Sequence, residues 1–174
     1  TFDLNGNCNC KNIEELVSNS ELIFICLPTP MRKSGECDLS IIKNVIKDIT
    51  KINKDRIISI KSTITPGTTD KFIEQYGKNI IFNPEFLTEA NAQNDFINQN
   101  RIILGGYGII LEKCSQFFST YFPNAKIITC KPLEAELTKY VTNTFLAVKV
   151  AYANEIATIA EFFELDYEKL INIF

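Results

Sequence analysis

The sequence predicts an α/β fold, a doubly wound parallel sheet followed by a long helix that opens an all-α domain. Short apolar segments rich in β-branched residues alternate with amphipathic helical segments as far as Lys131, a pattern typical of parallel sheets. From Pro132 to Phe163, apolar residues recur at helical spacing without an internal Pro or Gly, well beyond the average helix of about 11 residues. We therefore assign residues 1–131 to the α/β domain and residues 132–174 to the start of the helical domain.

Five segments are predicted to be strands, because each is short, apolar and rich in Ile or Phe. They are Leu22–Leu27, Ile57–Ile60, Ile80–Phe82, Arg101–Leu104 and Lys126–Thr129. The second of them is apolar throughout, as expected for a strand that is covered on both faces. We expect all five strands to run parallel in one sheet.

Amphipathic helices are predicted between the strands and after them. The isoleucines of Ile41–Ile52 recur on one helical face, with lysines on the opposite face. A second helix is predicted to be capped by Thr65, to begin at Pro66 and to end at Gly77. Beyond the long helix, Asp166 is predicted to cap one more.

Composition excludes several classes of protein. A net charge of −3 and a pI near 5.1 leave no basic surface for nucleic acid. The apolar runs are too short to cross a bilayer, and we expect no signal peptide. The six cysteines form no secreted framework, and without a histidine the Cys8-Asn9-Cys10 segment is a poor metal site. Cys26 and Cys114 are expected to be buried thiols. We expect a cytoplasmic protein with no metal and no membrane partner.

Polar residues follow the predicted strands at the point where each ends. Lys61-Ser62-Thr63 follows one strand, Pro28-Thr29-Pro30 follows another, and the carboxylates of Glu85 and Glu89 come after a third. The two prolines hold the backbone around Thr29 extended. Ligands of open α/β sheets bind beyond the carboxyl ends of the strands. The sequence therefore predicts a ligand site at this edge of the sheet.

The first residues also suggest a nucleotide ligand. Thr1-Phe2-Asp3 resembles the end of a strand that closes with an acid. In dinucleotide-binding folds such an acid, about 20 residues beyond a glycine fingerprint, binds the adenosine ribose. The fingerprint does not occur in this sequence, and the only methionine is Met31. We expect a glycine-rich βα unit upstream of Thr1, so that this chain is a fragment.

Five ordered motifs carry a resemblance to a known family. They are Pro28-Thr29-Pro30, Lys61-Ser62-Thr63, Asn83-Pro84-Glu85-Phe86-Leu87-Thr88-Glu89, Arg101-Ile102-Ile103-Leu104-Gly105-Gly106 and Lys139-Tyr140-Val141-Thr142-Asn143-Thr144-Phe145-Leu146-Ala147. With Asn154-Glu155, they resemble the UDP-glucose/GDP-mannose dehydrogenase family over essentially the whole chain. The resemblance implies a Rossmann-like NAD-binding domain, a dimerising helical domain and a second α/β domain. It also implies oxidation of the C6 hydroxyl of a nucleotide sugar to a carboxylate, as from UDP-glucose to UDP-glucuronate, with two NAD+ reduced.

The resemblance also implies roles for individual residues. Those expected to contact NAD are Leu27, Pro28, Thr29, Pro30, Ser62 and Glu89, with Asp3 as a further candidate. Those expected to face the nucleotide sugar are Glu85, Phe86, Leu87, Thr88, Glu89, Lys139 and Asn143. Lys139 and Asn143 share one helix face, where an ammonium and an amide can stabilise an oxyanion. Glu85 is the expected general base, directly or through a water held by Thr63.

The sequence departs from the family in one respect. The family's nucleophilic cysteine lies in a G-x-C-x-P-K-D setting, which none of the six cysteines here has. The resemblance implies that the parent protein is a homodimeric dehydrogenase, joined through its long central helix. Because the cysteine motif is missing, we expect this chain alone to be inactive.

Other interpretations stay open at this point. The chain is alternatively a non-catalytic nucleotide-binding or assembly module, or part of another β-hydroxyacid-type NAD dehydrogenase. Lys139 is alternatively the surface partner of Glu136, three residues earlier on the helix. Neither the role of Arg101 nor the identity of the sugar and its nucleotide follows from the sequence.

Overall fold

The computed structural model describes residues 1–3 and 8–174 and contains a five-stranded sheet with helices on both faces. The strands are neighbours in chain order: β1 (Leu22–Ile25), β2 (Ile57–Ile60), β3 (Ile80–Phe82), β4 (Arg101–Gly105) and β5 (Lys126–Cys130). All five predicted strands are therefore confirmed. The first ends two residues earlier than predicted, and the last two each end one residue later.

The prediction that all strands run parallel is wrong at one step. β1, β2 and β3 are parallel, and so are β4 and β5, but β3 pairs antiparallel to β4 through Phe82 and Gly105. A parallel neighbour needs a crossover segment that packs on the sheet. The connection here contains only a 3-10 turn (Glu89–Asn91) and the short helix α4 (Ala92–Ile97), in which no residue is buried. The chain therefore turns back at the carboxyl edge.

Alternation along the strands divides the core between the two faces of the sheet. Ile80 and Phe82 face the helices α1 (Ile13–Ser18), α2 (Ser40–Ile52) and α3 (Thr68–Tyr76), whereas Ile81 faces α5 (Gly108–Tyr121). On the first face the core is formed mainly by isoleucines, including Ile23, Ile25, Ile58, Ile60, Ile42, Ile46 and Ile49. Helices on both faces confirm the doubly wound architecture.

The N-terminus of α3 differs from the prediction. The helix begins at Thr68, and its N-cap is Gly67, with φ of 85° in the left-handed region and no side-chain cap of its own. Thr65 does not cap the helix, and its hydroxyl lies 2.9 Å from that of Thr68. The acceptor comes instead from a distant residue, Glu136, as described below. The predicted end of α3 at Gly77 is confirmed.

Two expectations about the first strand region are wrong. Thr1–Asp3 is exposed and belongs to no strand, and among the residues described β1 pairs only with β2. Cys26 lies just beyond β1 and is exposed rather than buried. Cys114 is buried in α5, as predicted.

The long helix is present as predicted, and the chain forms two compact units. Helix α6 spans Pro132–Phe162, and α7 (Tyr167–Ile173) is capped by Asp166, whose carboxylate accepts a hydrogen bond from the Lys169 N–H. The units are Thr1–Lys139 and Tyr140–Phe174, so the first turns of α6 belong with the sheet. The predicted domain boundary after residue 131 stays a prediction. Across residues 1–3 and 8–174, no helix is long and apolar enough to cross a membrane.

Candidate functional site

The ends of β1 and β2 are joined by the Ser62 side chain. The Leu27 N–H donates to the Ser62 hydroxyl at 2.8 Å, and that hydroxyl donates to the Ile25 carbonyl at 3.3 Å. The Ser62 side chain is buried. Two residues predicted to contact NAD, Leu27 and Ser62, therefore contact each other at the carboxyl edge of the sheet.

The proline loop after β1 is closed by hydrogen bonds at its far end. The Asp38 N–H donates to the Pro30 carbonyl at 2.8 Å, and the Asp38 carboxylate pairs with Arg32 at 2.9 Å. The hydrogen bond from the Arg32 guanidinium holds the pKa of the Asp38 carboxyl well below its usual value. Thr29 is half-buried at the start of this loop, with the exposed Pro28 and Pro30 on either side.

Glu85, the predicted general base, is held in place by Lys61. The Lys61 ammonium lies 3.0 Å from the Glu85 carboxylate, and the two side chains are only 14% and 26% exposed. Lys61 also donates to the Asn83 side-chain oxygen at 3.1 Å. The other Glu85 carboxylate oxygen accepts a hydrogen bond from the Phe86 N–H at 2.8 Å. The carboxylate thus has a fixed orientation at the end of β3.

Lys139 reaches the same place from α6. Its ammonium donates to the Glu85 backbone carbonyl. Burial lowers the pKa of Lys139; the Glu85 carboxylate opposes this shift and Lys61 adds to it. The alternative pairing of Lys139 with Glu136 is wrong, because Glu136 is fully buried and bonds to Gly67 and Thr69. Lys139 is therefore turned towards the predicted general base.

An open cleft of about 480 Å³ lies beside this group. Its wall includes Glu85, Phe86 and Leu87. The Arg101 guanidinium lies 5.0 Å from the centre of the Phe86 ring, and the Lys139 ammonium lies 5.2 Å from it. Such cation–π contacts fix the direction of both cations. The rest of the wall is polar and consists of Asn94, Asp95, Asn98, Gln99 and Asn100.

Three other residues were predicted to belong to the site: Thr63, Thr88 and Asp3. Thr63 follows Ser62 and is half-buried. The Thr88 hydroxyl donates to the Asp95 carboxylate at 2.6 Å, so it is engaged with α4. Asp3 is exposed and outside any strand. The roles predicted for these residues stay predictions.

Glu89 and Asn143 were also predicted to belong to the site. The backbone of Glu89 begins the 3-10 turn Glu89–Asn91, but its side chain lies outside the part of the molecule that is described. Asn143 is exposed and belongs to the second compact unit, Tyr140–Phe174. Its approach to the sugar stays a prediction.

The sequence motifs include Lys61 and Asn83, but no role in the site was predicted for either residue. Lys61 carried a usable signal, because a charged residue directly after a buried strand lies at the ligand edge of the sheet. Asn83 carried the same signal, because it directly follows β3 and opens one of the family motifs. Its partner could not be read from the sequence, since the hydrogen bond from its amide to the Ile103 carbonyl at 2.9 Å depends on β4 turning back beside β3. The structure also places Arg101 at the cleft.

Comparison with known proteins decides the family. The NAD binding domain model of the UDP-glucose/GDP-mannose dehydrogenase family matches residues 3–117, and the model of the family's central domain matches residues 133–174. The chain belongs to the UDP-glucose/GDP-mannose dehydrogenase family. Since the first model is an NAD binding domain, NAD is the cofactor of this part of the fold.

Relatives in this family extend well beyond the segment present here. The UDP-glucose 6-dehydrogenase of Rickettsia bellii is 37% identical over 166 residues, which cover 90% of this chain and 38% of that protein. TuaD, the UDP-glucose 6-dehydrogenase of Bacillus subtilis, is 33% identical over 173 residues, covering 91% and 36%. The chain thus spans little more than a third of the length of these curated relatives.

Solved structures agree with this assignment. A ternary complex of GDP-mannose dehydrogenase from Pseudomonas aeruginosa matches with a TM-score of 0.82 and 27% identity, over 92% of this chain and 40% of that one. A UDP-glucose dehydrogenase from Pyrobaculum islandicum matches with a TM-score of 0.81 and 28% identity, over 94% and 40%. The Rossmann-like fold is therefore confirmed.

Proposed function

We propose that this chain supplies the NAD-binding side of the active site of a nucleotide-sugar dehydrogenase. The reaction is oxidation of the C6 hydroxyl of a UDP- or GDP-sugar to a carboxylate. The observation that supports it is the contact of Lys139 with Glu85, whose carboxylate is paired with Lys61 at the ligand edge of the sheet. A carboxylate and a partly buried ammonium side by side suit the removal of a proton from an alcohol.

In this proposal the residues divide the work on the C6 hydroxyl. In the first of two oxidations, from alcohol to aldehyde, the Glu85 carboxylate takes the hydroxyl proton, directly or through a water held by Thr63. Bound NAD would supply the hydride acceptor, and oxidation of the aldehyde to the carboxylate would need a second NAD and a water. Lys139 stabilises the oxyanion that develops, with Asn143 as a second donor. Phe86, Leu87, Thr88 and Glu89 contact the sugar.

The polar groups at the edge of the sheet fit NAD. The proline loop is extended and closed at its far end by Asp38, so its backbone and the Thr29 hydroxyl present fixed polar groups. Ser62 holds the start of this loop against β2. We assign Leu27, Pro28, Thr29, Pro30 and Ser62 to cofactor binding, with Asp3 and Glu89 as further contacts.

Location and assembly are also part of the proposal. We place the protein in the cytoplasm, and we infer that the parent enzyme is a homodimer joined through α6. Apolar side chains of α6 in the second compact unit support this inference, because they stand exposed at helical spacing. They are Val141, Phe145, Val148 and Tyr152.

The proposal is tested by transplanting the chain into a relative. In a chimera, residues 3–174 replace the matching segment of the Rickettsia bellii UDP-glucose 6-dehydrogenase, and NADH formation from UDP-glucose is followed. Lys139→Met is expected to lower kcat by about 100-fold or more, because it removes an oxyanion donor, while the Kd for NAD changes little. Lys113→Met, an exposed lysine on α5, is the control and should leave both unchanged.

Two results would contradict the proposal. One is an active chimera whose kcat is indifferent to Lys139→Met. The other is a folded chimera that binds NAD but turns over no nucleotide sugar, which would favour the non-catalytic binding module. The 174-residue chain alone is expected to show no turnover, because its sequence lacks the nucleophilic cysteine motif, and to bind NAD weakly, because it lacks the glycine fingerprint.

A further inference from the structure

We propose that Glu136 is a positioning residue: its buried carboxylate locks the first turns of α6 onto the N-terminus of α3 and so holds Lys139 at the Glu85 carbonyl. The catalytic consequence rests on the proposed function, whereas the geometric part does not. Glu136 contacts neither Glu85 nor the cleft in the structure, so its effect on the reaction would pass through Lys139.

The contacts of Glu136 define one orientation. Its side chain is fully buried, and its carboxylate oxygens accept from the Gly67 N–H at 2.5 Å, the Thr69 N–H at 2.7 Å and the Thr69 hydroxyl at 2.6 Å. Hydrogen bonds to a charged acceptor are short and strong. They also satisfy N–H groups that a helix N-terminus leaves without partners. A buried carboxylate with these partners has no comparable alternative position.

A second contact prevents α6 from sliding along the sheet. A Cβ at Gly105 would lie 2.7 Å from the Ala135 Cβ and 2.9 Å from the Pro132 Cα. The first turn of α6 therefore lies directly on the backbone of β4, where only glycine fits. Together, the Glu136 carboxylate and this close packing fix the rotation of α6 about its axis and its position along the sheet.

Lys139 lies three residues beyond Glu136 on the same helix, a rise of about 4.5 Å. Its ammonium can meet the Glu85 carbonyl only while the helix keeps this register, because hydrogen bonds weaken steeply with distance and angle. Gly67 and Thr69 lie just after Thr63 in the chain. Glu136 therefore links the start of α3, which follows the proposed cofactor-binding residue Ser62 in the chain, to the helix that carries Lys139.

The test measures the state of the Lys139 amine in the 174-residue chain. Trace acetylation with acetic anhydride is followed across pH by mass spectrometry, with the exposed Lys113 as internal standard. Glu136→Gln keeps the shape of the side chain but removes its charge. We expect the Lys139 titration midpoint to rise towards that of a solvated lysine, about 10.4, because the amine leaves its partly buried position. Labelling of Lys113 should be the same in both proteins.

Two further variants separate positioning from stability. Thr69→Val removes one of the three hydrogen bonds and should move Lys139 in the same direction by less, which keeps the test open if Glu136→Gln folds poorly. Ile46→Val, in the core between α2 and the sheet, should lower the Tm without moving Lys139. A Glu136→Gln protein with a lower Tm and an unchanged Lys139 titration would overturn the inference.

In the active chimera, Glu136→Gln is expected to lower kcat by about 10- to 100-fold, the scale of a misplaced reacting group, with KM for NAD nearly unchanged. A rise in KM for NAD as large as the fall in kcat would also overturn the inference. If the chimera with unaltered residues is inactive, the proposed function fails, but the acetylation result still decides whether Glu136 positions Lys139.

Discussion

At the scale of single residues, burial decides what a titratable side chain can do in this protein. Lys139 loses hydration at the end of the sheet, and its pKa falls. Glu136 is more deeply buried, but three hydrogen bonds compensate for its lost hydration. Cys114 is 1% exposed, and burial without any nearby charge raises the pKa of its thiol to about 11. Burial alone therefore acts on Cys114, which makes it the simplest case to test.

The Cys114 thiol predicts a specific pH dependence of stability. Between the ordinary value of 9.0 and about 11, the unfolded chain loses this proton while the folded protein keeps it. The free energy of unfolding should therefore fall as pH rises through this range, by at most about 2.7 kcal/mol for this group. Urea unfolding below pH 9.0 and near 11 measures the change. Cys114→Ala should lose this part of the pH slope, and an identical slope in both proteins would contradict the assignment.

At the scale of secondary structure, the ends of elements depend on partners elsewhere in the chain. The prediction that Thr65 caps α3 used only residues that are neighbours in the sequence. The structure instead uses Gly67, which turns the backbone through the left-handed region so that its N–H meets Glu136. The helix end is therefore set by a carboxylate 69 residues away.

Gly67→Ala tests this helix end. A Cβ at Gly67 would meet no atom within 4 Å, so the substitution acts through the backbone alone. We expect it to lower the free energy of unfolding by about 1–2 kcal/mol, the cost of the left-handed conformation for a residue with a Cβ. Urea denaturation provides the measurement. Glu74→Ala, on the exposed side of the same helix, is the control, and equal stability of Gly67→Ala and the unaltered chain would be evidence against the strained cap.

At the scale of the whole molecule, the main feature is apolar surface on α6 that is exposed to solvent. Val141, Phe145, Val148 and Tyr152 are each more than half exposed and lie at i, i+4, i+7 and i+11, so they share one helix face. Isolated apolar residues on a surface are normal, but a continuous stripe marks an interaction site.

We expect the 174-residue chain to self-associate through this stripe. Size-exclusion chromatography with light scattering should give an oligomer for the unaltered chain. Phe145→Glu places a charge in the stripe and should shift the chain towards the monomer. Glu161→Lys reverses an exposed charge on the same helix, on the face opposite the stripe because it lies nine residues beyond Tyr152, and it should leave the mass unchanged. A monomeric unaltered chain, or an oligomer unaffected by Phe145→Glu, would contradict the expectation.

The sequence by itself determined the elements and their order. Burial periodicity is a local property, so it located five strands, the long helix and its successor capped by Asp166. The ordered motifs determined the family, because they fix residue type as well as spacing. They also named Glu85 and Lys139, which the structure brings together.

Only the tertiary structure decided direction and partners. A strand shows the same apolar pattern in either direction, so the pattern could not show that β4 runs antiparallel to β3. The ion pair of Lys61 with Glu85 and the bonds of Glu136 to α3 join residues far apart in sequence. No local pattern encodes such contacts, because they form only when the sheet brings the carboxyl ends of its strands together and α6 packs on Gly105.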